Sequence, residues 1–335
     1  MSTEQVPPYL SILRFDPSDV EPDLPARVTT PSSRESAHVV LLDAAQVPSL
    51  IEQTEAFDLE AICLFGGSAA SEFADAAPWL IRVGIDHPFL RNLFRRSDLD
   101  THLWERCRFV LLRTDAPLAS LAAHLRRFLR YVDWKPSPVE RFGSDTMRGT
   151  LFRFYDAAIL ADWIVGTAHD PERIAALLAF DGSGSRLVEE AYLAAEPEKD
   201  ELVVLDCLAL QSAAFGPRPL DEDDRRALRD GADRRLVNRT ALRLCDPFAK
   251  LDPARADRTR DHAEGALYWL RAQGGSPNEA EDVYQLALLA FVLGDAAGDL
   301  LAGPLMQERL VPVSERIALT RDSLFYELRR LTEDP

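Results

Sequence analysis

Residues 151–156, with the sequence LFRFYD, hold the densest group of side chains suited to chemistry or binding. On an extended strand alternate residues point to opposite faces, so Arg153 and Tyr155 would share one face and Asp156 would lie on the other. Because the two charges then face apart, we do not expect them to pair with each other. Two interpretations stay open. The segment is either a late strand packed on both faces, with each charge bound by a neighbour, or a surface that contacts a partner.

Other segments lack the spacing that catalysis or ligand binding requires. LFGGSAASE at 64–72 has neither the GxxxxGK(S/T) nor the GxGxxG pattern of a phosphate-binding loop. Ser68 lacks the GxSxG frame of a hydrolase nucleophile, and we predict that it caps a helix. The six histidines are scattered, without an HxH or HxxxH pair, and DEDD at 221–224 has the character of a helix start without EF-hand spacing. The sequence therefore predicts no catalytic residue, no metal site and no cofactor.

A rhythm of apolar strands and amphipathic helices begins at residue 38 and positions these motifs. Strands are predicted at 38–44, 61–67, 78–84, 107–115 and 149–156, and helices between them at 47–57, 68–76, 87–96 and 116–134. The last of these helices carries His124, which we place at the surface or at the boundary of the core. The alternation predicts an α/β (or α+β) lobe, layered, with a mostly parallel or mixed sheet.

The rest of the chain divides around this lobe. Residues 1–36 are assigned to an N-terminal arm or linker, because 16–36 are rich in Pro, Ser and Asp, and the apolar segment 9–15 is expected to dock as an extra strand. The α/β domain is assigned to 37–165 and a connecting region, with a helix near 171–180 and possible strands at 185–195 and 200–210, to 166–220. A helical C-terminal lobe is expected over 221–335.

Charge and hydrophobicity restrict the partners and the compartment. The formal net charge is −17, which would repel nucleic acid and anionic membranes, and 47% of the residues are hydrophobic, which is enough for a core. The first ten residues lack the basic and apolar regions of a secretory signal, and the most apolar stretch, 286–305, is interrupted by two aspartates. We expect a cytoplasmic protein that binds neither nucleic acid nor membrane. Its four widely spaced cysteines are expected to be buried thiols rather than disulfides or zinc ligands.

Several motifs, in order along the chain, resemble those of the adaptor or effector-chaperone proteins of bacterial type VI secretion. The similarity runs from about residue 38 to 165 through CLFGGSAASEFADAAPWLIRV, LLRTDAPLASLAAHLRRFLRYV and GTLFRFYDAAIL, and continues in PLDEDDRRALRDGADRRLV and GGSPNEAEDVYQLALLAFVLG. One departure is Ala157, where the family commonly has proline after the aspartate of FRFYD. The motif residues, structural or at an interface, are Phe65, Gly66, Pro78, Trp79, His124, Leu125, Arg126, Phe152, Arg153, Phe154, Tyr155 and Asp156.

The resemblance implies a cytoplasmic adaptor without enzymatic activity. Such proteins hold a toxic effector and help to load it onto the VgrG spike, often with a PAAR-type cap, and they are not fired with the effector. Two alternatives stay open. One is a regulatory or immunity-type binding protein for a different partner, and the other is an enzyme at the carboxyl edge of the sheet, where small ligands usually bind.

Overall fold

The computed structural model of the chain describes residues 7–17, 24–29, 37–96, 102–104, 106–132, 149–196, 199–211, 220–248, 258–273, 280–293, 303, 306 and 311–333, without the side chains of 130–132, 149–150, 246–248, 325 and 327–333. The chain divides into two compact units, Met1–Leu228 and Arg229–Pro335. The division lies eight residues after residue 220, at which the connecting region is predicted to end.

Seven strands of the first unit form one open sheet, and two more form a separate ribbon. In chain order the strands are β1 (Leu10–Arg14), β2 (Ala37–Asp43), β3 (Ala61–Cys63), β4 (Pro78–Val83), β5 (Val110–Thr114), β6 (Arg130–Val132), β7 (Gly149–Leu151), β8 (Glu190–Glu196) and β9 (Glu201–Asp206). The order across the main sheet is β1-β9-β8-β5-β2-β4-β3, and β6 pairs with β7.

Helices cover both faces of this sheet. They are α1 (Ala26–Thr29), α2 (Leu50–Ala56), α3 (Ala69–Glu72), α4 (Pro88–Leu93), α5 (Leu118–Arg126), α6 (Ala157–Gly166) and α7 (Pro171–Ile174), which continues as a π turn at Ala175–Ala179. Val39 of β2 points into the core formed with α5, α6 and α7, whereas Val40 points into a second core formed with α4 and the aromatic residues after it. The middle residues of the central strands, such as 39–42 of β2 and 110–112 of β5, are apolar because each side of the sheet is buried.

The predicted parallel or mixed sheet is wrong, because every described pairing of the main sheet is antiparallel. The strands joined by α2 and by α4 are not neighbours: β2 and β3 lie on either side of β4, and β4 and β5 lie on either side of β2. Each of these two crossovers thus skips one place in the sheet, and an antiparallel strand fills that place. By contrast, β3 and β4, which α3 joins, pair directly. Continuous apolar strands indicate burial on both faces, which is common in parallel sheets but does not determine strand direction.

Segments outside 37–165 complete the sheet. β1 lies in the predicted arm and pairs with β9, with Leu10 opposite Leu205 and Arg14 opposite Glu201, so the segment 9–15 docks as an extra strand. β8 and β9 lie in the predicted connecting region, and β8 is hydrogen-bonded to β5 on its other side. The α/β unit therefore needs residues from both sides of the predicted domain.

The second unit contains helices and no strand among its described residues. α8 (Glu222–Phe248) begins in the first unit and ends in the second, where α9 (Thr259–Ala272), α10 (Ala280–Leu293) and α11 (Val313–Glu333) follow. Leu244, Leu270 and Leu286 belong to its core. None of the helices that the structure describes has the length and apolar character needed to cross a membrane.

The four cysteines are free, and three of them are buried, whereas Cys245 is only half-buried. The expectation of free thiols therefore holds for all four, and the expectation of burial for three. Burial raises the pKa of the Cys107 thiol to about 12, so this side chain behaves as a small apolar residue of the core.

Candidate functional site

Motif residues that are far apart in sequence meet at one end of the main sheet. Because β2 and β3 both run antiparallel to β4, their last residues, Asp43 and Cys63, lie opposite the first residues of β4, Pro78 and Trp79 respectively. A backbone hydrogen bond from Leu64 N to Pro78 O, at 2.8 Å, continues the pairing beyond β3. We call this part of the sheet, formed by Asp43, Cys63, Leu64, Pro78 and Trp79, the Asp43 end.

Arg153 of the LFRFYD segment binds Asp43 at this end. Arg153 Nη2 donates to Asp43 Oδ2 at 2.8 Å, and Asp43 Oδ1 accepts from the backbone N–H of Ala45 at 3.1 Å. The Asp43 side chain is only 3% exposed, whereas that of Arg153 is 47% exposed. Burial acts to lower the pKa of Arg153, but the hydrogen bond to Asp43 and the neighbouring acidic groups outweigh it, and the pKa is raised. The pair thus combines a buried carboxylate with a charged guanidinium that is half in solvent.

The LFRFYD segment is not the strand that alternation predicts. Only Leu151 belongs to β7, and Asp156 is the N-cap of α6, where its Oδ1 accepts from the N–H groups of Ala158 at 3.0 Å and Ile159 at 3.4 Å. The chain turns between them, and this turn buries Phe152, Phe154 and Tyr155 together, whereas a flat strand would place Tyr155 on the face opposite the two phenylalanines. Arg153 and Asp156 therefore have different partners within the chain.

Ala157, where the sequence departs from the pattern of the adaptor family, lies directly after this turn. Ala157 is the first residue of α6, a position at which proline is favoured because its missing N–H has no partner in the helix. The capping carboxylate of Asp156 is present with either residue. The sharp entry into α6 therefore does not depend on proline.

The loop after β3 carries the exposed apolar part of the Asp43 end. Trp79 Nε1 donates to the carbonyl of Ala74 at 3.0 Å, which holds this loop against β4. Phe73, the residue before Ala74, is 55% exposed. Pro78 is buried and lies opposite Asp43. Pro78 and Trp79 therefore fix the end of the loop that carries Phe73.

The residues of this loop from Phe65 to Ser68 differ in burial and in backbone conformation. Phe65 is partly buried against the core, and Gly66 is exposed. Gly67, rather than Gly66, has a left-handed backbone with φ of +60°, so it is the position that requires glycine. Ser68 is the N-cap residue of α3, as predicted, but its side chain makes no capping hydrogen bond. Its backbone already has helical angles, whereas a capping residue is normally extended.

Helix α5 sends one motif residue to the Asp43 end. Arg126 Nη2 donates to the carbonyl of Cys63 at 2.8 Å, and Nε donates to that of Leu64 at 3.3 Å. Leu125, the preceding residue, is fully buried in the core. Arg126 therefore satisfies the carbonyl groups at the point where β3 ends, and its guanidinium is used within the chain.

His124 is buried, and its prediction as a surface or boundary residue is wrong. Its Nε2 lies 3.0 Å from the carbonyl oxygen of Leu177, in the π turn that continues α7. Burial is the main reason that its pKa is lowered, so the imidazole is neutral at pH 7. The π turn, which is distant in sequence, covers this side of α5, and the helix pattern by itself could not reveal that cover.

A second charged cluster, at the opposite end of the sheet, was missed by the sequence analysis. Glu190, the first residue of β8, lies between Arg27 of α1 and Arg113 of β5. Its Oε1 accepts from Arg27 Nη2 at 2.9 Å, and its Oε2 is paired with Arg113 Nη2 and with the hydroxyl of Tyr192. Glu189 adds a carboxylate oxygen 3.7 Å from Arg113 Nε. The cluster therefore ties α1 to two strands of the sheet.

His38 strengthens the same attachment. It lies opposite Arg113 in the pairing of β2 with β5, and its Nε2 is 3.2 Å from the carbonyl oxygen of Val28 in α1. Burial, assisted by the charge of Arg113, lowers the pKa of His38 despite this hydrogen bond. The side chain is therefore a neutral donor to α1 at pH 7, and it is a structural residue.

DEDD at 221–224 is a helix start, as the sequence predicts. Asp221 Oδ1 accepts from the backbone N–H groups of Asp223 at 3.0 Å and Asp224 at 3.1 Å. Arg173 pairs with Asp221 at 2.6 Å and with Asp224 at 3.0 Å, and Trp163 Nε1 donates to Asp224 at 2.9 Å. These acids anchor α8 to α6 and α7. In the part of the chain that the structure describes, no three His, Cys, Asp or Glu side chains are grouped to hold a metal ion.

Comparison with known families identifies the region that contains the Asp43 end. Residues 39–176 match DUF4123, a domain of unknown function. The DUF4123 match runs from β2 to the π turn after α7 and includes every motif residue from Phe65 to Asp156, whereas Arg27 and Glu190 of the second cluster lie outside it. No curated protein and no solved structure matches the chain.

Proposed function

We propose that the protein is a cytoplasmic adaptor, without enzymatic activity, that binds a type VI secretion effector and promotes its loading onto the VgrG spike. The observation that carries the proposal is the DUF4123 match over 39–176, since the motifs that resemble the effector-chaperone adaptors concentrate in this region. The fold supports the proposal because residues from separate motif segments meet at one end of the sheet, where a single partner is able to contact them together.

The surface at the Asp43 end is suited to binding another protein. It presents the half-exposed guanidinium of Arg153 and the exposed apolar side chains of Leu151 and Phe73. Arginine and aromatic residues are enriched at protein interfaces, where apolar contacts at the centre are combined with polar groups around them. An adaptor that shields apolar segments of an effector requires a surface of this composition.

The test is retention of the effector and of VgrG by the purified protein. Co-expression with the effector encoded beside it should give a stable complex and raise the soluble yield of that effector, and VgrG fragments should be retained in a pull-down. Deletion of the gene should abolish delivery of that effector while the secretion apparatus still assembles and fires. Retention of neither partner, together with normal delivery by the deletion strain, would contradict the proposal. Binding that neutralises the toxin without affecting its delivery would favour the immunity-type alternative.

A further inference from the structure

Arg153 is more exposed than the other arginines that compensate buried acids in this unit, although Arg27, which shares Glu190 with Arg113, is 38% exposed. Arg113 and Arg173 pair with the buried carboxylates of Glu190 and Asp224, and each of these arginine side chains is only 10% exposed. Arg153 pairs with an equally buried carboxylate, that of Asp43, but is 47% exposed. A counter-ion for a buried acid needs no such exposure, so compensation of charge does not by itself account for the position of Arg153.

Asp43 holds the exposed guanidinium in one orientation. Asp43 ends β2, and its two carboxylate oxygens are bound by Ala45 N–H at 3.1 Å and by Arg153 Nη2 at 2.8 Å. The guanidinium carbon also lies 5.7 Å from the centre of the Tyr155 ring. A long side chain that is already oriented loses less conformational entropy when it binds a ligand, which strengthens the interaction.

The chemistry of this group selects a carboxylate. A guanidinium carries several N–H donors in a planar fork that matches the two oxygens of a carboxylate, and the bond to Asp43 engages one of its nitrogens. The chain has a net charge of −17, but Arg153 presents a cation in a fixed orientation, and such a group attracts an acidic group of a partner. Leu151, two residues before Arg153, is 44% exposed and offers an apolar contact beside the ion pair.

We infer that Arg153 is a pre-oriented binding residue that receives a side-chain or terminal carboxylate of the protein partner at the Asp43 end of the sheet. The identity of that partner rests on the proposed function, whereas the chemistry of the contact rests on the geometry of Arg153 and Asp43. Asp43 acts through Arg153 and is therefore a positioning residue, which the partner does not need to touch.

The test compares matched variants of the full chain for retention of the effector and of VgrG. The double variant Asp43→Asn/Arg153→Gln removes both charges, so it leaves no buried carboxylate unpaired and should keep the melting temperature of the wild type. Arg153→Lys keeps a cation beside Asp43 but loses the planar fork. Arg91→Gln is the control, because Arg91 is 39% exposed and pairs with exposed Asp86 at 3.7 Å.

The double variant should lose affinity for one partner by at least about tenfold, as expected of a central arginine contact. Arg153→Lys should lose part of the affinity, Arg91→Gln should bind as the wild type does, and the salt dependence of binding should be weaker in the double variant because one ion pair is missing. If the double variant does not fold, the affinity of Arg153→Lys is the deciding measurement, since this variant keeps the ion pair with Asp43.

Two outcomes separate the failure of this inference from that of the proposed function. If the wild type retains a partner and the folded Arg153 variants retain it equally well, with the same salt dependence, the inference is overturned and the adaptor function stands. If the wild type retains neither the effector nor VgrG, the adaptor function is overturned, and the assigned role of Arg153 is overturned with it.

Discussion

Glu190→Gln tests whether the charged cluster at α1 stabilises the first unit. Glu190 is buried between Arg27 and Arg113, and the loss of one member of a buried ion pair costs about 3–5 kcal/mol. We expect the lower end, about 3 kcal/mol, because Arg27 is 38% exposed and regains water, and because Glu189 remains 3.7 Å from Arg113. At about 2–4 °C per kcal/mol for a unit of this size, the melting temperature should fall by about 6–12 °C.

The assay is urea unfolding followed by tryptophan fluorescence, which reports mainly on the first unit because four of the five tryptophans precede Arg229. Glu201→Gln is the matched control: Glu201 also lies in the sheet and pairs with an arginine at 2.7 Å, but that arginine, Arg14, is 82% exposed. The free energy of unfolding of this control should fall by less than about 1 kcal/mol. Equal losses in the two variants would refute the reasoning that burial decides the strength of these pairs.

Three other perturbations have defined outcomes. Because burial lowers the pKa of His38, its contribution to the free energy of unfolding is complete above the unfolded pKa of about 6.5. That contribution is lost as the pH falls toward the lower pKa of the folded state. His38→Gln should therefore flatten the decline of stability between about pH 7 and pH 5, as measured by urea titration. Gly166→Ala should lower the free energy of unfolding by about 1–3 kcal/mol, because the added Cβ would collide with Ala227. Gly265→Ala in α9 should raise it by up to about 1 kcal/mol, because the added Cβ meets open space. Thermal melts measure both changes. Asp156→Ala removes the cap of α6 and should lower the free energy of unfolding by about 1–2 kcal/mol, measured from the urea midpoint. Asp156→Asn should keep most of that stability, because an asparagine side chain also accepts the capping hydrogen bonds.

The sequence was a good guide to the position of the central strands and a poor guide to their direction. The apolar run at 39–42 lies in a predicted strand, and the structure has a strand there that is buried on both faces. The same run is compatible with parallel or antiparallel neighbours, since direction depends on which strand fills the place that each crossover skips. That choice is made by contacts between segments that are distant in sequence, such as the pairing of β5 with β8.

The candidate site shows the same division between local and distant information. Arg153 was evident from the sequence because a charge stands between aromatic residues, but its partner Asp43 lies 110 residues earlier, at the end of an apolar strand where an aspartate is ordinary. Glu190 and Arg27, separated by 163 residues, were missed for the same reason. In both clusters a buried acid at a strand end binds an arginine from another segment. Arg153 is 47% exposed as a result of the turn that ends β7 and begins α6, whereas the fold encloses Arg113, which is 10% exposed. This exposure is what the inferred contact with a partner's carboxylate requires.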